Sequence, residues 1–415
     1  MKLLFITSYF FPERAASSYL GDNIRKAFCD NDIDIVLYAP VPTRGISDKE
    51  RWIYLKEKKN EVLMDGRMVV HRFHLFREGK NPLLRAFRYF CCSLKHFNRG
   101  VFFKDARRCS VLFTTSTPPI QGAMGACVKK FRKNLKLIYN LQDIFPDSLA
   151  GTGIAKKGGL LWKIGRVIEN FTYRNADKII VISEDFKRNI MAKGVPGEKI
   201  EVIYNWVDEE AVVDVPRAGN NLFDKYGLER DKFYVTYNGN IGLTQNMDML
   251  LEVARELLSY EDIHFVLVGE GAYKEQVERI TKEQDLTNVT LLPFQPYEDI
   301  SHVFSLGDVS LVISKPGVGA NSVPSKTWSI MSASRPVLAN FDENELKTII
   351  ENHNCGIFTK AGDKDAFKSA ILTLYGDRDL CEKYGRNGRQ FIMKNLTKEI
   401  GTQKYVNVIK SFEKI

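Results

Sequence analysis

Short runs of Val, Ile, Leu and Phe recur along this chain, and between them lie longer stretches whose apolar residues fall three and four positions apart. A continuous apolar run suits a strand covered on both faces, and parallel strands need a crossover the length of a helix. The alternation therefore predicts an α/β protein whose parallel sheets carry helices on both sides. In the first half the runs are Lys2–Thr7, Asp34–Tyr38, Met68–Phe73, Val111–Thr115, Lys136–Asn140, Lys178–Ile182 and Ile200–Ile203. Helical spacing covers Ser18–Cys29, Leu83–Phe103, Gln121–Lys130, Leu160–Asn175 and Glu184–Ala192. The pattern restarts at Phe233, with strands at Phe233–Tyr237, His264–Val268, Val289–Leu292, Val309–Ile313, Val337–Ala339 and Gly356–Phe358, and helices such as Met249–Leu258 and Tyr273–Gln284.

A chain of 415 residues has room for two or three domains of roughly 100–200 residues each. The restart favours two, residues 1–205 and 206–396, with the polar stretch Asn205–Lys232 as the join. The helical segment 397–415 is expected to cross back and complete the first. Ligands of open parallel sheets bind beyond the carboxyl ends of the strands. Two such sheets facing each other would enclose one central cleft.

Charge and cysteine usage narrow the function. The formal net charge of +9 favours anionic partners, whether phosphate, nucleic acid or an acidic membrane. Seven cysteines without CxxC or zinc spacing argue against a disulfide framework or metal site and fit a reducing cytoplasm. The start, MKLLFITSYFF, runs into Pro12, Glu13 and Arg14 without a small-residue cleavage site, so it reads as a buried first strand. No stretch approaches the roughly 20 apolar residues of a spanning helix, and any membrane contact is expected to be peripheral.

Three loops carry the candidate chemistry of the second half. After the strand ending at Tyr237 comes Asn238-Gly239-Asn240-Ile241-Gly242-Leu243-Thr244-Gln245-Asn246. Glycines there let backbone approach a ligand, and the next helix offers N–H groups to an anion; an ordinary tight turn is the alternative. A second glycine turn, Gly269-Glu270-Gly271, follows the next strand, with Lys274 in the helix behind it. The third, Ser314 to Lys326, brings Lys315, Pro324, Ser325 and Lys326 after a buried strand; the lysines would neutralise a diphosphate and Ser325 would donate to it, unless the loop is merely a solvated basic one. In the first half, Glu13 and Asp143 stand at carboxyl ends of strands, where a carboxylate can take a proton from an attacking hydroxyl or simply cap a helix. The DxD triplets Asp32/Asp34, Asp363/Asp365 and Asp377/Asp379 lie away from these loops and read as structural rather than as magnesium or manganese ligands.

These elements, in this order, resemble the family-4 glycosyltransferases, and most of all the branch of bacterial surface-polysaccharide clusters that includes aminosugar (L-fucosamine-type) transferases. The likeness rests on SYFFPE at 8–13, QDIFPDSL at 142–149, ADKIIVISEDFK at 176–187, KIEVIYNWVD at 199–208, YNGNIG at 237–242, LVGEG at 267–271 and VPSKTWSIMSASRPVLA at 323–339. It implies the GT-B fold, two Rossmann-like domains with parallel sheets facing a central cleft. The second would hold a nucleoside-diphosphate sugar such as a UDP-sugar, and the first the acceptor. It also implies retention of configuration, no metal and no other cofactor. Many members carry Arg and Lys where this chain has Asn240 and Gln245, and two glutamates where it has Asn321 and Ser329. Lys274, Lys315 and Lys326 would then hold the diphosphate, and Ser329 a sugar or ribose hydroxyl.

Leu83, Phe87, Phe90, Leu94, Phe97 and Val101 form a helical apolar stripe flanked by Arg85, Arg88, Lys95 and Arg99. Such a helix can lie on an anionic membrane or pack into a core with a solvated basic face. The expectation is a peripheral enzyme on the cytoplasmic face of the inner membrane, moving a sugar, with N-acetylated amino and deoxy sugars among the candidates, to a polyprenyl-diphosphate-linked saccharide in O-antigen or capsule assembly. A sugar-nucleotide epimerase and a non-catalytic transferase-like partner are the alternatives. Nucleic acid is not expected, since no known binding module is present.

Overall fold

The computed structural model describes residues 1–13, 18–79, 81–148, 156, 158–319 and 323–413. The chain forms two compact units, Met1–Tyr204 with Gly401–Ile415, and Asn205–Ile400. Each is an α/β unit built on one sheet.

The first sheet comprises β1 (Lys2–Ile6), β2 (Asp34–Pro40), β3 (Asn60–Leu63), β4 (Met68–Phe73), β5 (Val111–Thr115), β6 (Lys136–Leu141), β7 (Lys178–Val181) and β8 (Ile200–Val202). Their order is β3-β4-β2-β1-β5-β6-β7-β8. All pairs are parallel except β3–β4, which is antiparallel. The central strands are buried on both faces, as in Leu3, Leu4, Phe5 and Ile6, which is why they read as unbroken apolar runs.

Two elements of this unit escape periodicity. Edge strand β3 is half exposed and joins β4 through a turn with positive φ at Met64, Asp65 and Gly66. The helix Asp48–Lys56 buries only Arg51 and Tyr54 and is fixed at its start by a Ser47/Glu50 capping box, a local device rather than an apolar stripe.

The second sheet comprises β9 (Phe233–Asn238), β10 (Ile263–Val268), β11 (Val289–Leu292), β12 (Val309–Ile313), β13 (Val337–Phe341) and β14 (Gly356–Lys360). It is parallel throughout in the order β11-β10-β9-β12-β13-β14. The stretch 205–232 is not a loose join. It belongs to this unit, where Leu222 and Phe223 are buried and the Val213 and Val215 N–H groups donate to Ser301 Oγ at 3.0 Å and Ser305 Oγ at 2.9 Å. Its polar composition conceals this because side-chain hydroxyls, not a neighbouring strand, satisfy its backbone.

Candidate functional site

In the second unit, crossovers leave β9 toward β10 and β12 toward β13, in opposite directions from two neighbouring strands. That divergence opens a crevice at their carboxyl ends. The loops after β9 and β12 meet there, with the Lys315 N–H donating to the Thr244 carbonyl at 2.8 Å.

The glycine turns lock this end of the sheet. A Cβ on Gly271 would lie 2.2 Å from the Ile241 carbonyl oxygen, and one on Gly269 1.9 Å from that of Gly239. The two turns thus interlock through backbone, and Ile241 N–H donates to the Glu270 carbonyl at 2.9 Å. Gly239, at φ +132°, leaves room for Lys326, whose Nζ would sit 3.2 Å from a Cβ there. Within the first turn, Gly242 N–H donates to Gln245 Oε1 at 3.1 Å, while Asn240 is exposed.

Lys326 Nζ rests 3.8 Å from the Tyr237 ring centroid. Desolvation lowers its pKa to about 7. Lys315 lies with Nζ 5.6 Å from the Tyr273 ring centroid. Neither lysine has a carboxylate partner among the described residues. The structure therefore brings two lysines that lack a carboxylate partner among the described residues to one crevice, at either end of the loop after β12.

Lys274 stands apart from that pair, since its Nζ donates to Glu270 at 2.6 Å and the two charges satisfy each other. Ser325 precedes the helix Lys326–Ser332 without capping it, Pro324 accepts from Thr327 N–H at 3.0 Å, and Ser329 lies one turn beyond Lys326 on that helix. Asn321 lies outside the described residues.

Three polar side chains at this end were missed in the sequence. Asn238, at the end of β9, is 5% exposed, and neither amide atom has a partner among the described residues. The hydroxyls of Ser314 and Thr327 are equally buried and unpartnered. Groups of this kind are costly unless a ligand or ordered water satisfies them. The only sequence signal was an amide closing an otherwise apolar strand.

In the first unit the neighbours with diverging crossovers are β1 and β5. Asp143 follows β6, next to β5. Its N–H donates to Ser116 Oγ at 3.2 Å, and its Oδ2 accepts from Ser148 at 3.1 Å. Desolvation pushes its pKa up, against the Ser148 hydrogen bond. Glu13 is employed differently. Its Oε1 accepts from Thr43 N–H at 2.6 Å, Arg44 N–H at 2.8 Å and Thr43 Oγ1 at 3.2 Å, clamping the loop after β2 onto the loop after β1. Oε2 is buried without a partner among the described residues.

The helix Pro82–Phe102 divides along its length: Leu83, Leu84, Phe87, Phe90 and Leu94 of the predicted stripe are exposed, Phe97 and Val101 pack against the core, and Arg88, Cys92, Ser93, His96 and Gly100 are buried. Arg88 is thus corrected as a surface contact: its guanidinium donates to the Phe76 carbonyl at 3.0 Å and Thr43 Oγ1 at 3.2 Å and lies 3.6 Å from Glu78. Burying it answers a buried carboxylate. Arg99 packs over the Phe73 ring at 4.5 Å, Lys95 donates to the His74 carbonyl at 2.7 Å, and Arg85 Nε lies 3.3 Å from Glu78.

Among the described residues no group of three His, Cys, Asp or Glu side chains is placed to hold a metal. Asp363 and Asp377 cap helices through Ala366 N–H at 3.0 Å and Leu380 N–H at 2.8 Å, and Asp32 and Asp34 pair with Arg67. No described helix is long and apolar enough to cross a membrane.

Residues 22–211 match the family described as Glycosyltransferase Family 4, and residues 220–391 match Glycosyl transferases group 1. The chain is a family-4 glycosyltransferase. The transferase is 25% identical over 348 residues to WbjE of Pseudomonas aeruginosa, named as a glycosyltransferase, across 81% of this chain and 83% of that one. It is 25% identical over 280 residues to WcaI of Escherichia coli K12, named as a colanic acid biosynthesis glycosyl transferase, across 66% and 68%. Among solved structures, HepE of Anabaena in complex with UDP-glucose superimposes with a TM-score of 0.70 at 16% identity, over 99% of this chain and 100% of that one. Sucrose-phosphate synthase of Thermosynechococcus elongatus gives 0.74 at 14% identity, over 99% and 98%. The transferase shares the GT-B fold of these neighbours.

Proposed function

We propose that the transferase moves a sugar from a nucleoside-diphosphate donor to a polyprenyl-diphosphate-linked saccharide, with retention and without a metal, in assembly of a bacterial surface polysaccharide such as O-antigen or capsule. The observation that carries the reading is Lys315 and Lys326, free of carboxylates among the described residues, at the two ends of the loop after β12 and each beside the β9 strand or its loop. Cleavage of the sugar–phosphate bond leaves extra negative charge on the departing diphosphate. Fixed cations and N–H groups aimed there lower the barrier.

In this reading Gly239, Asn240, Gly242, Gln245, Gly269, Glu270 and Gly271 shape the donor's seat, Ser325 and Ser329 hydrogen-bond it, and the first unit takes the acceptor. Asp143, its pKa raised by desolvation, accepts the acceptor's hydroxyl proton; Glu13, with one oxygen committed to three donors, holds the neighbouring loop. UDP is the favoured nucleotide, because HepE of the same fold was solved in complex with UDP-glucose. The WcaI name supports a surface polysaccharide, and the likeness to aminosugar transferases supports an N-acetylated amino or deoxy sugar. The outward apolar face of Pro82–Phe102 would rest on an anionic membrane, at the inner face where lipid-linked acceptors are assembled.

The test is a panel of UDP-, GDP- and dTDP-sugars with a polyprenyl-diphosphate acceptor, following nucleoside diphosphate release. Lys326→Ala should weaken donor use roughly 10- to 100-fold; unchanged kinetics would remove Lys326 from the site. Conversion of a nucleotide sugar without acceptor would favour an epimerase, and nucleotide binding without turnover a non-catalytic partner.

A further inference from the structure

A second cationic cluster stands at the carboxyl ends of three adjacent strands of the first unit. Tyr9 follows β1, Arg44 follows β2 and Glu78 follows β4. The Glu78 side chain is 5% exposed. Arg44 Nη2 and Nε donate to it at 2.5 and 3.1 Å, and the Tyr9 hydroxyl at 2.7 Å. Arg85 and Arg88 approach it at 3.3 and 3.6 Å. Tyr9 also bonds the Tyr89 hydroxyl at 2.9 Å and accepts from Arg44 at 2.7 Å. Three guanidiniums therefore share one carboxylate.

The surplus is open to a ligand. Arg44 and Arg85 keep 45% and 43% of their side chains exposed. The Arg85 guanidinium makes no hydrogen bond among the described residues, and the buried Arg88 Nη1 has none either. No Asp or Glu occurs from 81 to 104. Guanidinium forks match phosphate oxygens in geometry and charge. The helix that carries Arg85 and Arg88 also exposes Leu83, Leu84, Phe87 and Phe90 within the same turns. An anion bound here would have apolar surface beside it, the arrangement that a phosphate esterified to a hydrocarbon chain requires.

We infer that Arg44, Arg85 and Arg88, organised by Glu78 and Tyr9, form the seat for the diphosphate of the lipid-linked acceptor, with its chain running along Leu83, Leu84, Phe87 and Phe90. This rests on the acceptor class proposed above and assigns residues to it. Glu78 holds the guanidiniums in place without neutralising them, and the seat lies on the β1 side of the β1/β5 divergence, with Asp143 on the other.

The test titrates the whole protein with farnesyl diphosphate, farnesol and inorganic diphosphate, in parallel with UDP and with sedimentation on phosphatidylglycerol vesicles. Farnesyl diphosphate should bind at least tenfold more tightly than farnesol, and inorganic diphosphate should compete with it. Arg44→Gln and Arg85→Gln, both at partly exposed positions, should each weaken it about tenfold while UDP binding and the circular dichroism spectrum stay as in the parent. Equal affinity of the variants and the parent for farnesyl diphosphate, or equal binding of farnesol, would overturn the assignment. So would arginine dependence confined to the vesicles, which would make the cluster a phospholipid contact. Loss of the assignment with UDP binding intact leaves the donor reading standing, whereas a parent protein that binds neither UDP nor farnesyl diphosphate sinks both.

Discussion

Lys326 is held in a state that a solvated lysine never adopts near neutrality. Its pKa falls from 10.5 to about 7 through desolvation, with the Tyr237 ring as its near neighbour. Only the protonated form attracts a diphosphate, and the bound anion raises the lysine's pKa again. Nucleotide affinity should therefore be highest below pH 7 and fall about tenfold per unit above it, up to the value in the complex. Calorimetry at pH 6.5, 7.5 and 8.5 would show this as proton uptake on binding, and Lys326→Arg should flatten the profile. The same burial acts on stability. Between about 7 and 10.5 the unfolded chain binds more protons than the folded one, so the free protein should gain stability as pH rises across that window. Lys326→Met should raise the melting temperature at pH 6.5. The glycine beneath the site is held by backbone: Gly271→Ala drives a Cβ into the Ile241 carbonyl and should cost about 2 kcal/mol or more by thermal melting. Sequence gave the lysine and the glycines as types. It could not give the lack of a carboxylate partner for Lys326 among the described residues, nor the commitment of Lys274 to Glu270, because both depend on which side chains the strands bring together.

At the scale of elements, the central parallel strands were legible because burial on both faces leaves an apolar run with few interruptions, as in β5 and β12, whose ends fall where the runs end. Edge strand β3 was not, since one face is solvated and its turn is made by Met64 and Asp65 in the left-handed region. The helix Pro82–Phe102 was legible as amphipathic but not in orientation. Periodicity reports that a stripe exists, not which side the protein covers. The buried side contains Arg88 and His96; desolvation holds His96 neutral, with its pKa lowered to about 3. This gives two separable outcomes. Phe87→Ser with Phe90→Ser should abolish sedimentation with anionic vesicles and leave thermal stability within about 0.5 kcal/mol, since both side chains are already exposed. Arg88→Ala should instead cost about 3 kcal/mol, because it strips a buried carboxylate of one partner. Vesicle binding that survives the double serine variant would remove the helix from the membrane reading.

The two units are each closed around their own sheet, yet the chain does not divide into two simple halves, because Gly401–Ile415 belongs with Met1–Tyr204. The helix Lys398–Lys410 buries Tyr405, Val406 and Ile409. Tyr405 reaches Asn140 Oδ1 at 3.2 Å and sets its ring 6.2 Å from that of Phe113. Asn140 lies in β6, three residues before Asp143, so the last helix props the strand that aims the candidate base. Removing residues 401–415 should therefore act on one unit alone. The first unit should melt earlier and lose acceptor-dependent turnover, while the second, whose strands and lysines all lie within Asn205–Ile400, should still titrate with nucleotide diphosphate close to the full-length affinity. Differential scanning calorimetry of the truncated protein with and without UDP separates these effects, since only the second unit's transition should rise with ligand. A single transition that falls as a whole and no longer responds to nucleotide would mean that the tail stabilises the donor unit as well.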